Sequence, residues 1–242
     1  MVEYYGLFAL MAARWIDKQK LFYKRVVLAV VVVFSMLNVV QTYQYSKGII
    51  DVDSMTGEAY RYVFLRTSGK YRNVVGSGDE SFYGHLTCEP LLKSVNSFDV
   101  KTTGWSKSIS ADTILFRSSP KSFLFNENVP YSPSFAFVAD SLSSMRKLYL
   151  QLSLYYYEPA VNASRQALYV VDIRDSLNRL QFYKAFRMKR LPDKVVHRWR
   201  KSHIGIVLPT LNEGDKVKVY CWNKMLTRYN IDDFEVILYG IY

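Results

Sequence analysis

The chain has 242 residues, half of them hydrophobic and 16% aromatic, with 20 Tyr against 11 Gly and 7 Pro, a composition that excludes disorder and favours strands over helices. Its formal charge of +11 would suit nucleic acid if the basic residues were spread over one face. They fall instead into two groups, Arg14, Lys18, Lys20, Lys24 and Arg25 beside an apolar run, and Arg187, Lys189, Arg190, Lys194, Arg198, Arg200 and Lys201 later in the chain.

The first segment, "YYGLFALMAARW" (4–15), is apolar but too short to cross a bilayer alone. Two readings stay open for it: the last turns of a preceding transmembrane helix, with "IDKQKLFYKR" as a tight cytoplasmic loop, or an amphipathic helix lying along the interface. Residues 26–40 then form an apolar run broken only by Ser35 and Asn38. Extended through Leu21, Phe22, Tyr23 and the Tyr43 end, it reaches the ~20 helical residues that a hydrocarbon core requires, with Lys24 and Arg25 snorkelling. A signal peptide has a short basic start and a small-residue cleavage site, and this run has neither. An uncleaved anchor is therefore expected, with its basic flank on the cytoplasmic side of an inner membrane and the C-terminal bulk outside. The expected organisation is 1–20 amphipathic or partly membrane-embedded, 21–45 a transmembrane helix, and 46–242 an extracytoplasmic domain.

Beyond residue 49 the period changes to two. "AYRYVFLR" (59–66), "SFAFVADS" (134–141), "KLYLQLSLYYYE" (147–158), "QALYVVDIRD" (166–175) and "KVKVYCWN" (216–223) alternate apolar and polar residues between turn formers. This pattern predicts a mainly β protein, an antiparallel β-sandwich of jelly-roll-like form. Only "SLSSMRK" and "LPDKVVHRWRK" leave room for a short helical turn. Within 147–158, Leu148, Leu150, Leu152 and Leu154 are expected in the core, with Tyr149, Gln151, Ser153 and Tyr155 on a groove-lining or solvated face. Val217, Val219 and Cys221 are expected to face inward, against Lys216, Lys218, Tyr220 and Trp222 outward. The last two strands, joined by "NKMLTRYN", read as the closing edge of the sandwich.

The block "VVQTYQYSKGIIDVDSMTGEAYRYVF" (39–64), with "GDKVKVYCWN" and "IDDFEVILY", resembles the C-terminal part of large Bacteroidetes inner-membrane proteins, multi-helix glycosyltransferases of the dolichyl-phosphate-mannose type. In that family a last helix runs into a "Q-x-x-Q-Y-x-x-G-I-I" stretch and a periplasmic β-sandwich. The resemblance implies a glycan-related membrane setting and a polytopic membrane partner. It implies no transferase activity, since the helices carrying the family's catalytic acid are absent from this sequence.

Other chemistry is sparse. Cys88 and Cys221 lack metal-ligand spacing, and a buried thiol is the commoner state than a disulfide between them. His85, His197 and His203 accompany no nucleophile motif, and phosphate-loop fingerprints are absent. Glu158, Asp172, Asp175 and Asp140 could serve a glycosidase, but no spacing selects a pair. Asp232 and Asp233 are candidates for a structural calcium ion, against which stands the divergence of adjacent strand side chains; no other cofactor is expected. Rings that could stack on sugars are Tyr155, Tyr157, Trp199, Tyr220 and Trp222, with Arg198, Arg200 and Lys201 as candidates for an anionic group. The expectation is a non-catalytic, membrane-anchored module that binds or positions glycan or lipid-linked sugar, with no nucleic-acid partner. The alternative is a structural subunit docking into a cell-envelope assembly.

Overall fold

The computed structural model describes residues 14, 16–50, 55, 57–72, 85–99, 102–118, 120–139, 147–189, 191–192 and 194–242. Most of the 4–15 segment, the "SLSSMRK" turn and Asp140 lie outside them.

Helix α1 (Leu21–Ser46) is the one described helix long and apolar enough to cross a membrane. At ~1.5 Å per residue it spans about 39 Å, more than a ~30 Å hydrocarbon core. Its apolar side chains point into open space, with Leu28, Val33, Phe34 and Val39 all more than half exposed. Its C-terminal turn is different. Gln44 is buried, and its side-chain amide donates to the carbonyls of Val63 (2.6 Å) and Arg66 (2.9 Å). The chain turns at Gly48, whose φ of 64° suits a residue without Cβ, and Ile49 closes back onto the Gln44 carbonyl at 2.8 Å.

The strand expected in "AYRYVFLR" is a helix, α2 (Gly57–Val63). Seven residues are too few for periodicity to separate the two states, and packing decides. Ala59 and Val63, four apart and so on one helical face, bury against Ile49, while Tyr60 and Phe64 meet edge-on at 5.5 Å. A small second apolar cluster thus sits at the end of α1. Two hydrogen bonds of 3.3 Å, from Arg165 to the carbonyls of Lys70 and Arg72, tie the following turn to the β domain.

Among the described residues nine strands follow: β1 (Leu92–Asn96), β2 (Phe123–Phe125), β3 (Phe135–Val138), β4 (Leu148–Tyr157), β5 (Ala167–Arg174), β6 (Leu180–Arg187), β7 (Trp199–Leu208), β8 (Lys216–Asn223) and β9 (Tyr229–Gly240). They form the expected jelly-roll-like antiparallel sandwich. One sheet has the order β1-β9-β4-β7, with β2 also paired to β9, and the other the order β3-β8-β5-β6. The described part of "LPDKVVHRWRK" is irregular chain running into β7, without a helical turn.

Leu148, Leu150, Leu152 and Leu154 of β4 are in the core, as are Val217, Val219 and Cys221 of β8. Rings fill the space between the sheets: Trp105 stands 5.2 Å from both Phe135 and Phe234, and Phe125 lies 4.7 Å from Tyr229. Offset and edge-on contacts of this kind add to the area each ring removes from water.

The terminal strands are not an edge. β8 lies between β3 and β5, β9 lies between β1 and β4, and the turn between them crosses from one sheet to the other. The Asn223 side chain staples that crossing, donating to the Thr227 carbonyl at 2.8 Å and accepting from the Thr227 amide at 3.2 Å.

Candidate functional site

Alternation along β4 sends Tyr149, Gln151, Ser153, Tyr155 and Tyr157 to the outer face of the five-stranded sheet. Pairing sets their neighbours. Across β7 stand Val207, Gly205, His203, Lys201 and Trp199, and across β9 stand Tyr239, Ile237, Glu235, Asp232 and Asn230. One face therefore carries a polar row flanked by rings.

Its deepest part is a groove of about 450 Å³ lined by Tyr149, Gln151, Ser153, His203 and Glu235, among others. Ser153 donates to Glu235 at 3.0 Å, and Lys93 of β1 holds the other carboxylate oxygen at 3.3 Å. Gly205 leaves the space for Tyr149 to lie down: a Cβ there would stand 1.7 Å from the tyrosine oxygen. Amide, hydroxyl, imidazole and carboxylate groups converge on one hollow, which suits a ligand with many hydroxyls.

The double aspartate explains how β9 serves both core and groove. The β4–β9 register jumps from Ser153↔Glu235 to Tyr155↔Asp232, and Asp233 takes a φ of 49°. This bulge inserts one residue, so Ile231 and Phe234 both face the core although three positions apart. It also overturns the expected divergence of the two carboxylates, which converge on Arg117. Asp232 accepts from the backbone amides of Arg117 (2.9 Å) and Ser118 (3.2 Å), and Asp233 pairs with the Arg117 guanidinium at 2.5 Å. Burial pushes the Asp232 carboxyl above its ordinary value, partly offset by those amide donors. For calcium, both Asp232 oxygens and Asp233 Oδ2 are thus already engaged by N–H groups and a guanidinium. Among the described residues no cluster of three or more acidic, histidine or cysteine side chains is placed to hold a metal.

Of the predicted rings, Tyr155, Tyr157 and Trp199 lie together on this face. Arg117 sits 3.5 Å above the Tyr155 ring, Lys201 stands 5.9 Å from it, and Tyr157 meets Trp199 at 5.7 Å. The Tyr157 hydroxyl and His197 Nδ1 are 3.2 Å apart. Tyr220 and Trp222 are elsewhere, on the outer face of the four-stranded sheet, where Tyr131 stands 5.7 and 6.2 Å from them. There burial, with Tyr183 and Asp172 nearby, pushes the Tyr220 hydroxyl up to about 12. The five rings thus divide between opposite faces of the sandwich.

The anion candidates divide as well. Lys201 and Arg198 are exposed. Arg200 alternates inward and is a correction: it pairs with the fully buried Glu158, which also accepts from Lys189 at 2.8 Å and from the Ser164 amide and hydroxyl at 2.7 and 2.8 Å. Of the glycosidase candidates, Glu158 is committed to this cluster, Asp172 pairs with Arg174 at 3.1 Å, and Asp175 holds the β5–β6 turn with Arg179 at 2.6 Å. Both cysteines carry free thiols, Cys88 exposed and Cys221 buried, and burial pushes the latter well above its ordinary value.

His203, Glu235, Gly205, Arg117 and Lys93 were not singled out from sequence. Glu235 and His203 stand on outward positions of recognisable strands, so alternation was the available signal. Their convergence needs the cross-strand register.

No family model matches the sequence, and no curated protein is significantly similar to it. Among solved structures, the chain is similar to a CBM22-1 xylan-binding domain from Paenibacillus barcinonensis, with 17% identity over 66% of this chain and 97% of that one and a TM-score of 0.38. It is similar to the C-terminal family 22 carbohydrate binding module of a Clostridium thermocellum protein, with 10% identity over 61% and 92% and a TM-score of 0.37. A CBM35 from Cellvibrio japonicus gives 10% identity over 62% and 99% and a TM-score of 0.37.

Proposed function

We propose that the protein is a membrane-anchored, extracytoplasmic module that binds or positions glycan or lipid-linked sugar, without catalysis of its own, beside a polytopic membrane glycosyltransferase. The observation that carries the glycan reading is the outer face of the five-stranded sheet. Its groove of about 450 Å³ presents amide, hydroxyl, imidazole and carboxylate groups and is continued, past Tyr155 with Arg117 over its ring, by Tyr157 and Trp199. Polar groups of both donor and acceptor type satisfy hydroxyls, and ring faces cover the apolar faces of a sugar. Helix α1, apolar and outward-facing up to its C-terminal turn, supports the anchor, and the basic flank at Lys20, Lys24 and Arg25 supports a cytoplasmic N-terminus.

The test is binding of the full chain, in detergent micelles, to an immobilised panel of neutral and acidic oligosaccharides. Saturable binding to at least one member, weakened by Gln151→Ala, is the expected result; silence across the panel from folded protein would refute the reading.

One observation favours the docking-subunit reading instead. Tyr131 and Tyr183, each 48% exposed, gather with Tyr220 and Trp222 on the other sheet, and exposed rings of this kind suit a protein contact. Co-purification of a membrane partner that depends on Trp222 and not on Gln151 would support it.

A further inference from the structure

The groove continues to the β7 edge of its sheet. There a smaller hollow of about 170 Å³ opens between β7 and the chain leaving β6. Because β7 is an edge strand, residues of both alternations reach it: Lys201 and His203 from the outer face, Ser202 from the inner one. Lys201 and His203 line both hollows, so the two are adjacent.

The smaller hollow has a distinct chemistry. Lys189, Lys201 and His203 line it, with Tyr156 and Ser202, and among the described residues none of its lining side chains is acidic. Lys189 is fixed in place, its side chain 3% exposed, by Glu158 at 2.8 Å and by the Tyr156 ring at 5.8 Å. Lys201 and His203 are exposed at the rim. Among the described residues, Lys189 and Arg200 share the single Glu158 carboxylate, so the floor carries a net positive charge below two solvent-facing basic groups, a setting that matches a compact anion, and hydrogen bonds to an ionised acceptor are about twice as strong as neutral ones. The volume is several times the ~30 Å³ of a water molecule, room for such a group.

We infer that this hollow receives the anionic substituent of an acidic glycan, a carboxylate, sulfate or phosphate group, while the rest of the sugar lies in the larger groove. The inference rests on the glycan reading and narrows its ligand class.

The test measures affinities of the full chain in detergent micelles, at physiological salt, for four pairs of matched probes. These are tetragalacturonate against its methyl ester, and sulfated, phosphorylated and sialylated oligosaccharides each against its unsubstituted parent. At least one acidic probe is expected to bind about tenfold or more tighter than its partner. Lys201→Ala and His203→Ala should each reduce that preference, and Lys218→Ala, on the other sheet, should preserve it. The preferred pair identifies the anion. Equal binding within every pair, or a preference that survives the Lys201→Ala/His203→Ala double variant, would overturn the inference and leave glycan binding standing. Absence of binding to all probes would overturn both.

Discussion

Gly205 decides the shape of the groove floor at the scale of one residue. A Cβ at that position would stand 1.7 Å from the Tyr149 oxygen and 2.4 Å from its ring carbon, so Gly205→Ala must push the tyrosine aside. The obstructing atoms are the far end of a side chain, so the strain is relieved by rotation and the fold tolerates it. Gly205→Ala is expected to lower glycan affinity about tenfold or more while shifting the melting temperature by only a few degrees, as read by binding and thermal unfolding in parallel. Asp112 is a second residue whose role is separable. It accepts from Ile114 (2.9 Å), Leu115 (3.1 Å) and the Asn230 amide (3.0 Å), holding the segment that covers β9. Burial alone would raise its carboxyl, but these donors hold it below its ordinary value. A depressed carboxyl stabilises the fold fully above about pH 4 and loses that contribution as pH falls through the depressed value. Acid titration of stability should therefore show a component below pH ~4 that is missing in Asp112→Asn; an unchanged curve would contradict this assignment.

The elements show where sequence reasoning succeeded and where it stopped. β4 was legible because every second residue from Leu148 to Leu154 is leucine, an alternation that a helix does not produce. α2 was not, because a short run containing Tyr60, Tyr62 and Phe64 alternates as a strand does, and its burial comes from Ile49, an earlier part of the chain. The bulge in β9 was also hidden. It changes which residues share a face, and the residue its carboxylates meet, Arg117, is more than a hundred positions away. The same limit misplaced Arg200, whose inward position follows from the register of β7 on β4. The cluster it joins gives a prediction at this scale. Glu158 is fully buried between Lys189 and Arg200, so Glu158→Gln removes the charge that compensates both. Loss of one partner of a buried ion pair costs about 3–5 kcal/mol, and a denaturant midpoint lowered to match is expected. A change below about 1 kcal/mol would show that the cluster is dispensable.

At the scale of the whole molecule, the long apolar helix and the sandwich were both legible, because an unbroken apolar run shows as a length and strand alternation as a period. The face proposed for binding was not: Trp199, Tyr220 and Trp222 are equivalent in the sequence as outward rings, and only the assignment of strands to sheets separates them. The proposed orientation has its own test in the two thiols, of which Cys88 is exposed and Cys221 is buried. A membrane-impermeant maleimide is expected to label intact cells at Cys88 alone, with Cys221 reacting only after denaturation; labelling of Cys88 only after lysis would reverse the orientation. The most direct test of the account measures glycan affinity for the full chain and three variants: Tyr157→Ala and Trp199→Ala on the five-stranded sheet, and Trp222→Ala on the other. The account predicts that the first two weaken binding about tenfold or more while Trp222→Ala leaves it unchanged. Loss of binding in Trp222→Ala, with Tyr157→Ala and Trp199→Ala unaffected, would place the site on the opposite face and contradict it.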